Sequence, residues 1–181
     1  GHVDMLATLD KKLAFIAEET ISRFKVETRP MDLKKFDRDL HIFLDIYNRA
    51  MPGQWGFVPL SEAEIEHTAG SLKHLIAPEL TSIAEIDGEP IGAQFGLLDY
   101  NPRIRKINGK LYPFGFMRLL WNKKAIRKLR LISTNVVPEY QKWGIGLALL
   151  YRLVPDILEW GLQEAELSWV LESNRLSRGT I

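Results

Sequence analysis

The sequence predicts an α/β fold of the α+β kind, with strands gathered into one sheet and helices laid against it. Three observations carry this. Apolar residues fall at helical spacing through most of the chain up to Ile76. The period then changes, and "SIAEIDGEPIGAQFGLL" alternates about Asp87-Gly88, a strong short-range hairpin signal. Finally, the strand-like run "RKLRLISTNVV" passes through a glycine turn, "VVPEYQKWGIG", into an amphipathic helix.

At 181 residues the chain suits one domain, or one domain with an appendage, and it can bury a sizeable core. It is 46% hydrophobic and 26% charged, a globular balance rather than a disordered one. With 0 cysteines, disulfides, thiolate metal sites and a cysteine nucleophile are excluded, which fits a reducing compartment. No apolar run approaches the roughly 20 residues of a spanning helix, and nothing at the start reads as a signal peptide. A cytoplasmic location and no membrane partner are therefore expected. "GHVDM" looks like a tag remnant before Met5. The expected organisation is residues 1–23 as that remnant plus an N-terminal helix, then a main domain over 24–181 with an insertion at about 99–127.

The elements follow in order. "MLATLDKKLAFIAEETISR" sets Leu6, Leu9, Leu13, Ile16 and Ile21 near helical spacing. "FKVETRP" is a short strand that Pro30 ends. Asp32 is a plausible N-cap for a helix running to about Arg49. "MPGQWGFVPL" is a loop, and Ser61 with Glu64 forms a capping box for a third helix through about Ile76. After the hairpin comes a basic, aromatic excursion with an Asn108-Gly109 turn, longer than a usual strand connection. The helix after the glycine turn has Leu147, Leu150, Val154, Ile157 and Leu158 as its expected apolar face. Pro155 should kink it and Gly161 should end it. "AELSWVLE" is a further strand, with Leu167, Trp169 and Leu171 alternating against Glu166, Ser168 and Glu172.

A glycine-rich strand-to-helix turn usually receives an anion, because the first helical N–H groups have no partner in the chain. A nucleotide P-loop would end in Gly-Lys-Ser or Gly-Lys-Thr, which is absent. A dinucleotide fingerprint needs a third glycine, where this chain has Leu149. What remains is Gln141-x-x-Gly144-x-Gly146 after a strand ending Val-Val-Pro. This pattern resembles motif A of the GCN5-related N-acetyltransferases. A helix pair, an Asp-Gly hairpin, that strand and turn, an amphipathic helix and a strand ending "WVLESN" are in the family's order over roughly residues 24–181. The alternative is a helix cap whose glycines serve close packing and hold no ligand.

The resemblance implies a mixed, mostly antiparallel central sheet flanked by helices, and an acetyl-coenzyme A-dependent N-acyltransferase acting on a small-molecule or peptide amine. It implies that N–H groups of Gln141, Lys142, Trp143, Gly144, Ile145, Gly146 and Leu147 hold the pyrophosphate. It also implies that Asn135, Val136 and Val137 pair with the pantetheine arm and face the thioester carbonyl. Lys142 and nearby cations would meet the ribose phosphate. Glycine lets the backbone approach a phosphate, so a Cβ at Gly144 is expected to point at the ligand. Gly144→Glu should then abolish binding while the protein stays folded. Glu172 is the first candidate base and Glu85, on the hairpin, the second. Asn174 matches a pantetheine-contacting position. No tyrosine lies between Ser173 and Ile181, where the family's thiol-protonating one would fall, so Ser177 is the nearest candidate acid.

His67 and His74 share a helix face without a third ligand, and no metal site is expected. After Asn174 the pattern calls for a helix and a further strand pair. Here the C-terminal strand pair is missing: either the chain is cut or that part is supplied otherwise. An open sheet edge would then favour association, for instance as a homodimer. From Pro102 to Pro138 there is no Asp or Glu among many Lys and Arg, although the net charge is only +1. This block is either a solvated face or an attractor for a polyanionic ligand. Nucleic acid is disfavoured, because "LYPFGFMRLLW" reads as core rather than as a stacking platform. The excursion is expected to pack over the acceptor side as a lid or wall. A module with this fold that binds coenzyme A without chemistry is the competing function.

Overall fold

The Asp87-Gly88 signal forms the middle of the sheet. Both residues take left-handed backbone angles, φ 52° and 81°, the pair that a two-residue hairpin turn requires. The structure, a computed structural model, describes residues 11–51, 69–70, 72–107 and 114–167. Its helices and strands are α1 (Lys11–Phe24), β1 (Glu27–Arg29), α2 (Phe36–Ala50), β2 (Thr81–Ile86), β3 (Glu89–Leu98), α3 (Asn101–Lys106), α4 (Gly115–Leu120), β4 (Lys128–Val136), α5 (Ile145–Glu159) and β5 (Glu164–Leu167). The strands lie in the order β1-β2-β3-β4-β5. Neighbours are antiparallel except β4 and β5, which are parallel. The fold is thus mixed α+β, with a mostly antiparallel sheet flanked by helices.

Local chemistry accounts for most boundaries. Asp32 accepts from the Lys34 N–H at 2.9 Å and caps a short 3-10 turn, Leu33–Lys35, that leads into α2. The third helix of the sequence reading is seen at 69–70 and 72–75, while its capping box lies outside the described residues. α5 runs through Pro155, and Gly161, at φ 65°, follows its C-cap. Its buried stripe is Ile145, Leu149, Leu153 and Ile157, all 0% exposed, whereas Leu158 is 49% exposed. The expected face was therefore rotated. α5 is apolar on most sides, so periodicity alone left more than one stripe open.

The core has two parts. One joins Phe36, Leu40, Phe43 and Ile46 of α2 to Ile83, Ile91 and the start of α5. The other joins Leu98, Leu129 and Leu131 to Leu153, Ile157 and Leu162 at the far end of β4 and α5. Leu119 and Ile126 of the excursion belong to this second part. The described part of the excursion therefore packs at the opposite end of β4 from the glycine turn, a strand length of roughly 26 Å. The expectation of a lid over the cofactor turn is overturned. Leu119 and Ile126 have a strand-start core to fill, and they fill that one.

Among the described residues no helix is long and apolar enough to cross a membrane.

Candidate cofactor site

The site grows out of β4. Among the described residues β5 pairs with it from Lys128 to Leu131, in parallel. Beyond that point β4 has β3 on one side and no strand on the other among the described residues. The register slips at the same place. Phe95 faces Ser133 and Gly96 faces Leu131, so Ile132 is an extra residue, 42% exposed. Bulges of this kind bend a strand and re-aim its backbone.

Alternation then decides which backbone groups are free. The Val137 N–H donates to the Ile91 carbonyl at 2.9 Å, so Val137 and Asn135 point their backbone groups at β3. Thr134 and Val136 point theirs outward, along the open edge. This corrects the expectation for Asn135, Val136 and Val137: only Val136 of the three faces away from β3. Its carbonyl is taken, since the Gln141 Nε2 donates to it at 3.1 Å. Gln141 thus folds the turn back onto the strand that precedes it.

A 3-10 turn, Pro138–Tyr140, carries the chain to Gly144, the N-cap of α5, at φ 80°. Not every amide between Gln141 and Leu147 is available. Gln141 donates to Pro138 (3.5 Å), Trp143 to Tyr140 (3.1 Å) and Leu147 to Gly144 (3.0 Å). The N–H groups of Lys142, Gly144, Ile145 and Gly146 have no partner among the described residues. Four adjacent donors at a helix N-terminus form an anion cradle. The Ile145 and Leu147 side chains are buried, so these residues offer only backbone to a ligand.

The two glycines do different things. A Cβ on Gly144 would meet the Thr20 Oγ1 of α1 at 2.7 Å, not a ligand. The expectation that it points at the ligand is wrong; Gly144 is glycine for its positive φ and for α1. A Cβ on Gly146 would touch only the Thr134 Cγ2 at 3.7 Å, an ordinary contact. Trp143 is likewise occupied by packing, with its ring 4.3 Å from Phe24 and 4.8 Å from Tyr140. Lys142 is exposed beside the cradle.

Glu85 is no free base. Its Oε1 accepts from the Arg29 Nε at 2.9 Å, on the opposite flank of the sheet. Glu172, Asn174 and Ser177 lie outside the described residues. Sequence reasoning passed over Gln94 and Thr134, which face each other across β3 and β4. Gln94 is 1% exposed and its Oε1 has no partner among the described residues, while Thr134 is exposed beside Gly146. A lone polar residue in a strand carries no signal that separates it from ordinary alternation.

No family model matches the chain. Protein YghO of Escherichia coli strain K12 is 35% identical over 158 residues, covering 84% of this chain and 40% of that protein. A bacterial ceramide synthase of Caulobacter vibrioides is 33% identical over 156 residues, covering 83% and 41%. The chain thus spans about two fifths of the length of these curated relatives. Among solved structures, an aminoglycoside acetyltransferase from an uncultured soil metagenomic sample, in complex with sisomicin, superposes with a TM-score of 0.55 at 12% identity, over 88% of this chain and 89% of that one. An aminoglycoside N-acetyltransferase in complex with CoA gives 0.53 at 18%, over 85% and 82%. A ribosomal-protein-alanine N-acetyltransferase from Brucella melitensis biovar Abortus 2308 gives 0.53 at 17%, over 84% and 85%. The chain has the fold of the GCN5-related N-acetyltransferase superfamily.

Proposed function

We propose that the chain is an acyl-coenzyme A-dependent N-acyltransferase, with acetyl-coenzyme A as the simplest donor and an amine as acceptor. One observation carries the reading: the N–H groups of Lys142, Gly144, Ile145 and Gly146, without partners among the described residues, stand at the end of a strand whose outer edge beyond Leu131 has no described strand beside it. The donor set fits a pyrophosphate, since it is made of backbone amides, has the positive end of a 15-residue helix behind it, and leaves room at Gly146. Lys142 adds a mobile cation for a further phosphate. Among the described residues, the outward backbone of Thr134 and the outward Val136 N–H are available to pair with an extended arm as an added strand would.

When bound, the cofactor supplies an acyl group activated as a thioester. The protein's part is placement: the cradle fixes the phosphates and the open edge of β4 aligns the arm. The outward Val136 N–H is a donor for the oxygen of a carbonyl laid along that edge. Glu172 is proposed to accept the amine's proton, Ser177 to supply one to the departing thiolate, and Asn174 to hold the arm. The acceptor is left to experiment. A ceramide is an N-acylated long-chain amino alcohol, and one relative is named for making it. Such an amine therefore belongs in the acceptor panel with aminoglycosides and peptide N-termini.

The test is thermal. Acetyl-coenzyme A at 100 times its dissociation constant should add about 2.7 kcal/mol of stability, while NAD and ATP add less. An unchanged melting temperature at millimolar cofactor overturns the reading. A second reading is a coenzyme A-binding module without chemistry. Binding with no thiol release across the amine panel decides for that module.

A further inference from the structure

The excursion after β3 has an inverted helix. α4 buries Gly115 and Leu119 on one side, with Leu119 5% exposed. Its other side presents Phe114, Met117 and Trp121, which are 69%, 63% and 75% exposed. The backbone bond from the Trp121 N–H to the Met117 carbonyl, at 2.9 Å, keeps these positions in helical step. They stand three and four residues apart and so form one ridge. This corrects the reading of "LYPFGFMRLLW" as core for its described residues, since Gly115 and Leu119 go inward while Phe114, Met117 and Trp121 face water. A helix that turns three of its largest apolar groups to water has a partner that removes them from it.

The cations around the ridge say what kind. No Asp or Glu occurs from Pro102 to Pro138. Some of the positive charge is used structurally. Arg103 holds the α3–α4 corner through the Leu119 and Asn122 carbonyls at 2.8 and 2.7 Å, and Lys123 reaches the His74 and Ile76 carbonyls. Arg105, Lys106 and Arg118 are left exposed with no ion pair among the described residues. Arg118 is four residues from Phe114, on the same ridge. An apolar ridge rimmed by unpaired cations complements a surface that is anionic outside and hydrocarbon beneath. Nucleic acid would match the cations but not Met117, which has no ring face on which to stack a base.

We infer that the α3–α4 excursion docks the protein on an anionic lipid surface, with Phe114, Met117 and Trp121 entering the headgroup–acyl boundary and Arg105, Lys106 and Arg118 meeting lipid phosphates. This does not depend on acyl transfer, and it is measured without cofactor.

The experiment is sedimentation of the full chain with vesicles of equimolar phosphatidylglycerol and phosphatidylcholine, beside vesicles of phosphatidylcholine alone. The anionic vesicles should bind at least about tenfold more tightly, and molar salt should release the protein. Replacing Phe114, Met117 and Trp121 together by serine should weaken binding by about a hundredfold with an unchanged melting temperature, because these side chains already face water. Arg105→Ala with Arg118→Ala should cost about fivefold per cation. Trp121 emission should shift to the blue on binding, judged against Trp121→Phe. Equal binding to both vesicle types, or none to either, overturns the inference. So does a dimer in free solution that the serine variant disperses, or a uridine oligonucleotide that binds in preference to the vesicles.

Discussion

The two flanks of the sheet treat polar groups in opposite ways. At the β1 flank the buried and half-buried charges are answered. Arg29 forks onto Asp39 at 2.8 and 3.1 Å and reaches Glu85 at 2.9 Å. Asp39, with its side chain 0% exposed, also accepts from Arg38 at 2.9 Å and from the Asp32 N–H at 2.7 Å. At the β4 flank the amides of Lys142, Gly144, Ile145 and Gly146 and the outward Val136 N–H have no answer among the described residues. Buried or half-buried polar groups are nearly always paired in native proteins. The satisfied flank is therefore scaffold, and the unsatisfied one is where the proposed cofactor would complete the fold.

The largest effect should come from unbalancing the scaffold flank. Asp39→Ala leaves Arg29 and Arg38 facing each other without their shared carboxylate, and it should cost about 3–5 kcal/mol in chemical denaturation. Burial alone would push the Asp39 carboxyl up, but hydrogen bonds from Arg29, the Asp32 N–H and Arg38 outweigh it and hold it below the ordinary range. A depressed folded value contributes stability above the unfolded value of about 4 and loses it as pH falls through the folded one. Acid titration of Asp39→Asn should accordingly show a flatter loss of stability below about pH 4 than the parent does.

Gly144→Ala comes next. A side chain at φ 80°, pressed on the Thr20 Oγ1, should destabilise by about 1–2 kcal/mol, read as a lower melting temperature with and without cofactor. An unchanged melting temperature would show that α1 is not what the glycine answers to. The smallest effect on stability sharpens the comparison most. Gly146→Ala meets only the Thr134 methyl at 3.7 Å, so helix propensity should raise stability by about 0.5–1 kcal/mol. If the cradle holds phosphate, the same methyl should weaken acetyl-coenzyme A binding. A variant that is more stable and binds equally well would make Gly146 a helix residue and nothing more.

How much of this was legible depended on whether a residue's role was local. The hairpin at Asp87-Gly88, the strand into the turn and the stop at Gly161 are all written in adjacent residues. They are legible in the sequence because turn chemistry needs no distant partner, whereas the φ at Gly144 comes from the structure. Roles set by tertiary contact were misread. Glu85 looked like a base until Arg29 was found on it. The stripe of α5 was rotated, the ridge of α4 was taken for core, and the excursion was taken for a lid. Each error has one cause: periodicity shows that a face is apolar, but not what lies against it.

The first helix carries a consequence of its own. Thr20 sits under Gly144, Phe24 stacks on Trp143, and the Tyr151 hydroxyl donates to Glu18 at 2.6 Å, so α1 touches the turn and the helix after it at three points. Coupling free energy is reciprocal. Whatever affinity α1 lends to the cradle by holding it in shape, an occupied cradle returns to α1 as resistance to fraying. A segment that the sequence sets outside the main domain then behaves, thermodynamically, as a subunit of the binding site.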